Sequence, residues 1–315
     1  MRNEAAALIA AIRAQPWAIM PEYLEAIEAI AVRALAADVL QLLARDGHAE
    51  RMPANLEAVA AVGTRLDGSR GSTIRNGNAV VPMIGTIFPR ASMINASTGG
   101  TSLDALMHDV RVAEASADVE RIVMVIDSPG GVVSDVGAAA DMLRATTKPI
   151  TAYVAGMGAS LAYWLGSQAS ELVLDRAASV GSIGVVATTT RQEGADANGR
   201  RSYEIVSSNA PFKRPDMSSE DGRAAVQAEV DAIESVFLAD VAAGRRVTVD
   251  RVRESFGRGA MVPAARAVEV GMADRIGTLE SILSQGPGRT RANTGRSRAL
   301  AAAEVELRLR AAQGV

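Results

Sequence analysis

The chain has 315 residues, is 48% hydrophobic and 22% charged, and carries a formal net charge of −3 with no cysteine and two histidines. That length holds one large domain with appendages or two modest ones. The interleaved, near-balanced charge gives no sign of a nucleic-acid partner. The lack of cysteine excludes a disulfide framework, a thiol nucleophile and a zinc–cysteine centre. His48 and His108 are too few and too far apart to suggest a metal, so neither metal nor cofactor is expected.

With aromatics at 3% of residues, packing must come from Val, Ile, Leu, Met and close backbone approach. The first twenty residues carry Arg2, Glu4 and Arg13 and lack the apolar run of a secretory signal. The long uncharged stretch 149–170 contains Gly156, Gly158 and Gly166 and reads as a buried strand and helix rather than a membrane span. The expectation is a cytoplasmic protein without a membrane anchor.

In chain order, residues 1–63 read as a helical N-terminal appendage. Pro16 and Pro21 punctuate its first helix, and Leu24, Ile27, Ile30, Leu35, Val39, Leu42 and Leu43 recur at helical spacing. Residues 64–78, rich in Gly and Asn, read as a linker. A main domain over 79–285 opens with an apolar strand at 79–87, then a helix near 102–116 capped by Thr101 or Ser102. Strands at 121–126, 150–155, 171–175 and 183–188 alternate with helices near 134–145 and 159–169. Short apolar strands alternating with helices indicate an α/β fold with parallel strands covered on both faces. A long helix follows over 218–244, with Val226, Val230, Ile233, Val236, Phe237 and Val241 on one face. Residues 286–315 read as a flexible linker and a short C-terminal helix.

The chemistry is suggested by what is scarce. Of 33 basic residues only Lys148 and Lys213 are lysines, and lysine, unlike arginine, can become neutral when desolvated. A serine hydroxyl needs a base within hydrogen-bond reach. Ser160 lies in a run of small residues, Val154 to Ala162, and neither histidine sits in a setting that would aim it at this serine. Lys213, between Pro211-Phe212 and Arg214-Pro215, is the candidate base. Lys148 follows a helix end and precedes a strand, where a cation complements a helix dipole, so it is assigned a structural role. Acyl transfer also needs donors for an oxyanion. Leu161, the residue after Ser160 at a helix start, offers one amide; Gly131, in the turn Asp127-Ser128-Pro129-Gly130-Gly131, offers another. Asp127 is read as capping that turn.

These residues resemble the signal-peptide-peptidase-A type of serine peptidase, especially its phage and prophage capsid-assembly (prohead) branch. The resemblance covers roughly 79–285. It rests on Asp127 to Gly131, Gly158-Ala159-Ser160, Ser179 to Val185, Ser207 to Lys213, and Ala267 to Gly277. It implies a Clp-protease/crotonase-like ββα spiral core, a Ser160–Lys213 dyad, an oxyanion hole from Gly131 and Leu161 with Gly130 in support, and Ser182 orienting the lysine. It further implies a homo-oligomeric ring in which neighbouring subunits can complete the site, and phage scaffold, capsid or portal proteins as substrates, in the host cytoplasm or the prohead. The chain departs from the family at Ser160-Leu161-Ala162-Tyr163, where Ser-Gly-Gly-Tyr is common, and at Ser207-Ser208-Asn209, where the lysine segment often begins Ser-Gly. Three other readings stay open: a non-catalytic ring-forming assembly component, a cytosolic protein-degrading relative of signal peptide peptidase, and crotonase-like acyl-CoA chemistry. The last does not need a Ser–Lys pair. A small-residue segment at 299–303 is a candidate site of self-cleavage or a helix that docks on a scaffold.

Overall fold

The computed structural model describes residues 16–20, 22–24, 62–90, 100–188 and 205–284. The sequence expectations for residues 25–61, including His48, and for the tail from 285 onward lie outside these residues.

Strand β1 (Trp17–Ile19) comes first. A hairpin of β2 (Thr64–Arg65) and β3 (Thr73–Arg75) leads into β4 (Asn78–Ile84), then the short β5 (Ile87–Phe88) and β6 (Thr101–Ser102). Helix α1 (Leu103–Ala115) precedes β7 (Arg121–Ser128) and β8 (Gly130–Val132); α2 (Val136–Ala145) precedes β9 (Ile150–Ala159). Helix α3 (Leu161–Gly166) starts one residue after β9 ends, and β10 (Glu171–Leu174) and β11 (Ser179–Gly181) follow. A 3₁₀ turn at Pro211–Lys213 precedes α4 (Glu220–Arg245) and α5 (Val249–Ser255). The described chain closes with β12 (Met261–Pro263), α6 (Ala264–Val270), β13 (Arg275–Ile276) and α7 (Leu279–Ser284).

The strands form two sheets. The larger runs β12-β11-β9-β7-β4-β3-β2, with β10 and β13 branching from β9; the smaller runs β1-β8-β5-β6. Strands β4, β7 and β9 pair in parallel at its centre. Seven of the eight residues of β7 are buried, as expected of a central strand covered on both faces. Helix α1 turns Leu103, Leu106, Met107, Val110 and Ala113 onto the core at helical spacing. The long β9 serves two neighbours on one edge: its first half pairs with β10 and its last three residues with β11. That division carries the end of β9 past the sheet centre to the point where the chain turns at Ser160.

Several expectations change. The stretch 64–78 is a packed hairpin, not a linker. The buried Asp109 carboxylate accepts the Arg70 N–H (2.6 Å), the Gly71 N–H (2.9 Å) and the Ser72 hydroxyl (2.7 Å), and so fixes the loop on α1. Trp17–Ile19 is a strand rather than part of a helix, because prolines on both sides leave a short segment that pairs with β8; a helical turn starts only after Met20. Of the expected strand at 183–188, only Val186 pairs, in an isolated bridge to Trp17. Apart from Gly222, helix α4 buries its C-terminal part, through Phe237, Leu238, Val241 and Ala242, while Val236 is 51% exposed. Lys148 does serve a helix end, but that of α1: its ammonium donates to the Ala113 (2.9 Å) and Ser116 (2.5 Å) carbonyls.

One ion pair clamps the closing elements. Arg245, its side chain 7% exposed, donates two hydrogen bonds to Asp274 (2.9 and 3.0 Å), and the same carboxylate accepts the Leu172 N–H. Burial alone would raise the Asp274 carboxyl; the Arg245 guanidinium outweighs it and holds the group below its ordinary value. A carboxyl lowered in the folded state contributes stability that is complete above the unfolded value of about 3.9 and is lost as pH falls through the folded one. Asp274→Ala is expected to cost about 1–3 kcal/mol in denaturant unfolding at pH 7, less than for a fully buried pair because Asp274 is partly exposed. The gap between wild type and variant should begin to narrow below about pH 4, the unfolded carboxyl value, and go on narrowing as pH falls through the lowered folded one; a gap that does not narrow would refute the role of the charge.

Candidate active site

Ser160 sits between β9 and α3 with φ 52° and ψ −116°, a backbone conformation that side-chain-bearing residues rarely adopt. Such strain costs about 1–3 kcal/mol and persists only where the surroundings over-determine it. Here they do. The Ser160 N–H donates to the Gly181 carbonyl (2.7 Å) at the end of β11, and its own carbonyl accepts the Trp164 N–H (2.9 Å) in α3. All six residues of α3 are buried. The Trp164 ring stacks on Phe237 of α4 at 4.3 Å, and its indole N–H donates to Asp240 (2.8 Å), which also receives Arg144 (2.8 Å) from α2. The Tyr163 hydroxyl donates to the Met272 carbonyl (3.0 Å), and burial pushes its ionisation far above the ordinary phenol value. The sequence folds this way because small residues up to Ala159 allow the sharp exit from β9, while Leu161 to Leu165 supply the apolar anchor beyond it.

The glycine turn lies opposite. A bulge between Ile126 and Ser128 shifts the register of β7 on β9. The Asp127 carboxylate ties this bulge to the Met157 N–H (3.0 Å), bridging to β9 where a cap within its own turn was expected. The Ser128 hydroxyl accepts the Gly130 N–H (3.2 Å). Gly130 has φ +105°, and a methyl on it would lie 3.0 Å from the Ser160 Cβ and 2.2 Å from the Ala18 carbonyl oxygen. A methyl on Gly131 would meet the Ile87 carbonyl oxygen at 1.9 Å. Both positions therefore require glycine, and Gly130 packs against the serine. The Leu161 N–H is at the first position of α3, where no intrahelical acceptor is available to it.

Ser160, Gly130, Gly131 and Leu161 thus meet in one place. Ser182 is next to it: it follows the Gly181 carbonyl that holds Ser160, has φ 51°, and donates its N–H to the Ala260 carbonyl (3.1 Å). Lys213 is not drawn in. It lies exposed on the 3₁₀ turn, beside a Phe212 that is 59% exposed, so the apolar cover expected of Pro211 and Phe212 is absent in the single chain. Among the described residues, the wholly buried Ser160 hydroxyl has one long approach, 3.5 Å to the Gly184 carbonyl. Sequence reasoning missed β1, which lines the site. Its available signal was a β-prone Trp-Ala-Ile between two prolines, the flanks typical of an edge strand.

A buried serine on a strained strand-to-helix junction, beside paired glycines and a helix start, is an arrangement of the kind a serine nucleophile needs, on a mixed α/β scaffold. The sequence matches Clp protease over residues 89–179 and peptidase family S49 over 142–286. The fold is of the Clp-protease/crotonase type, and the C-terminal part of the described chain is similar to peptidase family S49. It is 26% identical over 217 residues to the capsid assembly protease C of Escherichia phage lambda, covering 66% of this chain and 48% of that protein. It is 26% identical over 283 residues to the head-tail preconnector protein GP5 of Enterobacteria phage P21, covering 88% and 56%. Over 107 residues it is 30% identical to protease 4 of Salmonella typhi, covering 32% and 17%. The chain spans about half the length of the two phage relatives. No helix of the described residues is long and apolar enough to cross a membrane.

Because the Ser160 side chain makes one long polar contact while its backbone is strained, removing the side chain should release strain. Ser160→Gly is expected to raise stability by about 1–2 kcal/mol, and Ser160→Ala to leave the strain in place. Thermal melts of the two variants check this; equal melting temperatures would show that the junction is not strained.

Proposed function

We propose that the protein is a serine endopeptidase in which Ser160 is the nucleophile and Lys213 the general base, acting on phage head proteins. The observation that carries this reading is the junction at Ser160, held against Gly130-Gly131 and followed by the helix-start amide of Leu161. Neutral Lys213 takes the Ser160 proton as Oγ attacks a peptide carbonyl. The Gly131 and Leu161 amides hold the oxyanion. Lysine returns the proton to the leaving amine, and water then hydrolyses the acyl-enzyme by the same steps. Gly130 gives the room in which Ser160 sits, and Ser182 orients the lysine.

The exposure of Lys213 supports a dyad completed on assembly. The same stretch of chain carries Ile205 and Phe212, exposed to 96% and 59%. A neighbouring copy in a homo-oligomeric ring would cover them and desolvate the lysine. The names of the two phage relatives, a capsid assembly protease and a head-tail preconnector protein, support scaffold, capsid or portal proteins as substrates and the prohead or host cytoplasm as the place of action.

Cleavage of an unfolded protein by wild type, Ser160→Ala and Lys213→Ala across pH tests the reading. Both variants are expected to lose activity by about 100-fold or more. Wild-type activity should rise with pH, since only the neutral amine accepts a proton; a flat profile would remove lysine as base. Mixing the two inactive variants should restore part of the activity when the lysine crosses the subunit interface. No recovery would place it in the same subunit as its serine.

A further inference from the structure

Residues 16–20 occupy a position that the proposed reaction needs for something else. Trp17 exchanges both backbone hydrogen bonds with Val186, its N–H to the Val186 carbonyl (2.9 Å) and its carbonyl from the Val186 N–H (2.8 Å). On the other side, β1 runs antiparallel to β8, with Trp17 opposite Val132, Ala18 opposite Gly131 and Ile19 opposite Gly130; the Met20 N–H then donates to the Pro129 carbonyl (3.1 Å). The segment is therefore an extended strand held on both edges. In an antiparallel ladder hydrogen-bonded pairs alternate, so the Met20–Pro129 pair puts Ala18 and Gly131 in the hydrogen-bonded class as well. The Ala18 carbonyl thus faces the glycine assigned to the oxyanion. Its oxygen and the Ser160 Cβ converge on one point, 2.2 and 3.0 Å from where a methyl on Gly130 would be.

The side chains agree with this placement. Trp17 and Ile19 point together into a small apolar cluster with Leu24, Phe88 and Val132, where the Trp17 and Phe88 rings meet edge to face at 6.1 Å. Ala18 points the other way into the main core, with no exposed surface. Ser160 is also wholly buried, so no outside polypeptide reaches it while the strand is in place.

We propose that residues 16–20 lie in the peptide-binding groove of the enzyme as an internal occluding strand. The groove, between β8 and residues 184–186, takes an extended peptide with a small residue facing Gly131 and bulky apolar residues on either side. Trp17-Ala18-Ile19 fills it until displaced. The inference deepens the peptidase reading by naming its substrate groove and the kind of sequence the groove accepts, and it rests on that reading only for the chemistry.

Two readouts separate groove from chemistry. The first is binding of a fluorescent peptide with the sequence of residues 14–22, measured by anisotropy on full-length chains carrying Ser160→Ala. The second is labelling of Ser160 by a small serine-directed phosphonate in chains that keep the serine. Each is made with the natural strand, with Trp17→Ala, and with Met20→Pro, which removes the N–H given to Pro129 while keeping the Trp17, Ala18 and Ile19 side chains. Peptide affinity and labelling rate are both expected to rise about tenfold or more in Trp17→Ala as the fraction of open groove increases, and less in Met20→Pro. A peptide carrying Ala18→Arg should not bind. Peptide binding gained without labelling would keep the groove and sink the nucleophile. Unchanged peptide binding in both strand variants, with melting curves showing folded chains, would overturn the proposal.

Discussion

The strained backbone of Ser160 is the constraint on which the site depends. Its cost is about 1–3 kcal/mol, while full burial of one large apolar side chain contributes about 1.5–3 kcal/mol. Helix α3 buries Leu161, Tyr163, Trp164 and Leu165 together, so the anchor exceeds the strain with margin. The strain is localised because both flanks are fixed: β9 by β7, β10 and β11, and α3 by the Trp164–Phe237 stack. Only a serine held at that angle stands against Gly130 with its following amide at a helix start.

The two sheets divide the labour. The parallel centre of the large sheet delivers β7 and β9 side by side, so the glycine turn after β7 and the serine after β9 end at the same edge. Function at the ends of parallel strands follows from this geometry. The small sheet adds β8 and β1 across that edge. Charge plays a supporting part: Asp127 stabilises the bulge that lets the turn form, and the Arg245–Asp274 pair fastens the chain's return to β10.

The site is complete on one side only. Serine, glycines and helix-start amide are assembled within one chain, whereas Lys213 stands in solvent among exposed apolar residues. The reaction proposed above therefore asks for two events, cover over the lysine and withdrawal of the strand over the serine.

The sequence by itself determined the alternating α/β order, the central strands and the positions of Ser160, Gly130, Gly131 and Leu161, because each is encoded locally. Apolar runs of strand length fix β7 and β9, and small residues around a serine permit one sharp turn. It also placed Lys148 at a helix end, though not which helix. Tertiary structure alone decided that residues 64–75 are a hairpin, since the Asp109 carboxylate that secures it lies 37 to 39 positions away. It decided that Lys213 is exposed, because apolar neighbours in sequence bury a lysine only if something packs on them. And it decided the role of Trp17–Ile19: three residues carry too little periodicity to reveal a strand, and their edges are matched by Gly130–Val132 and Val186, which only the folded chain brings to either side.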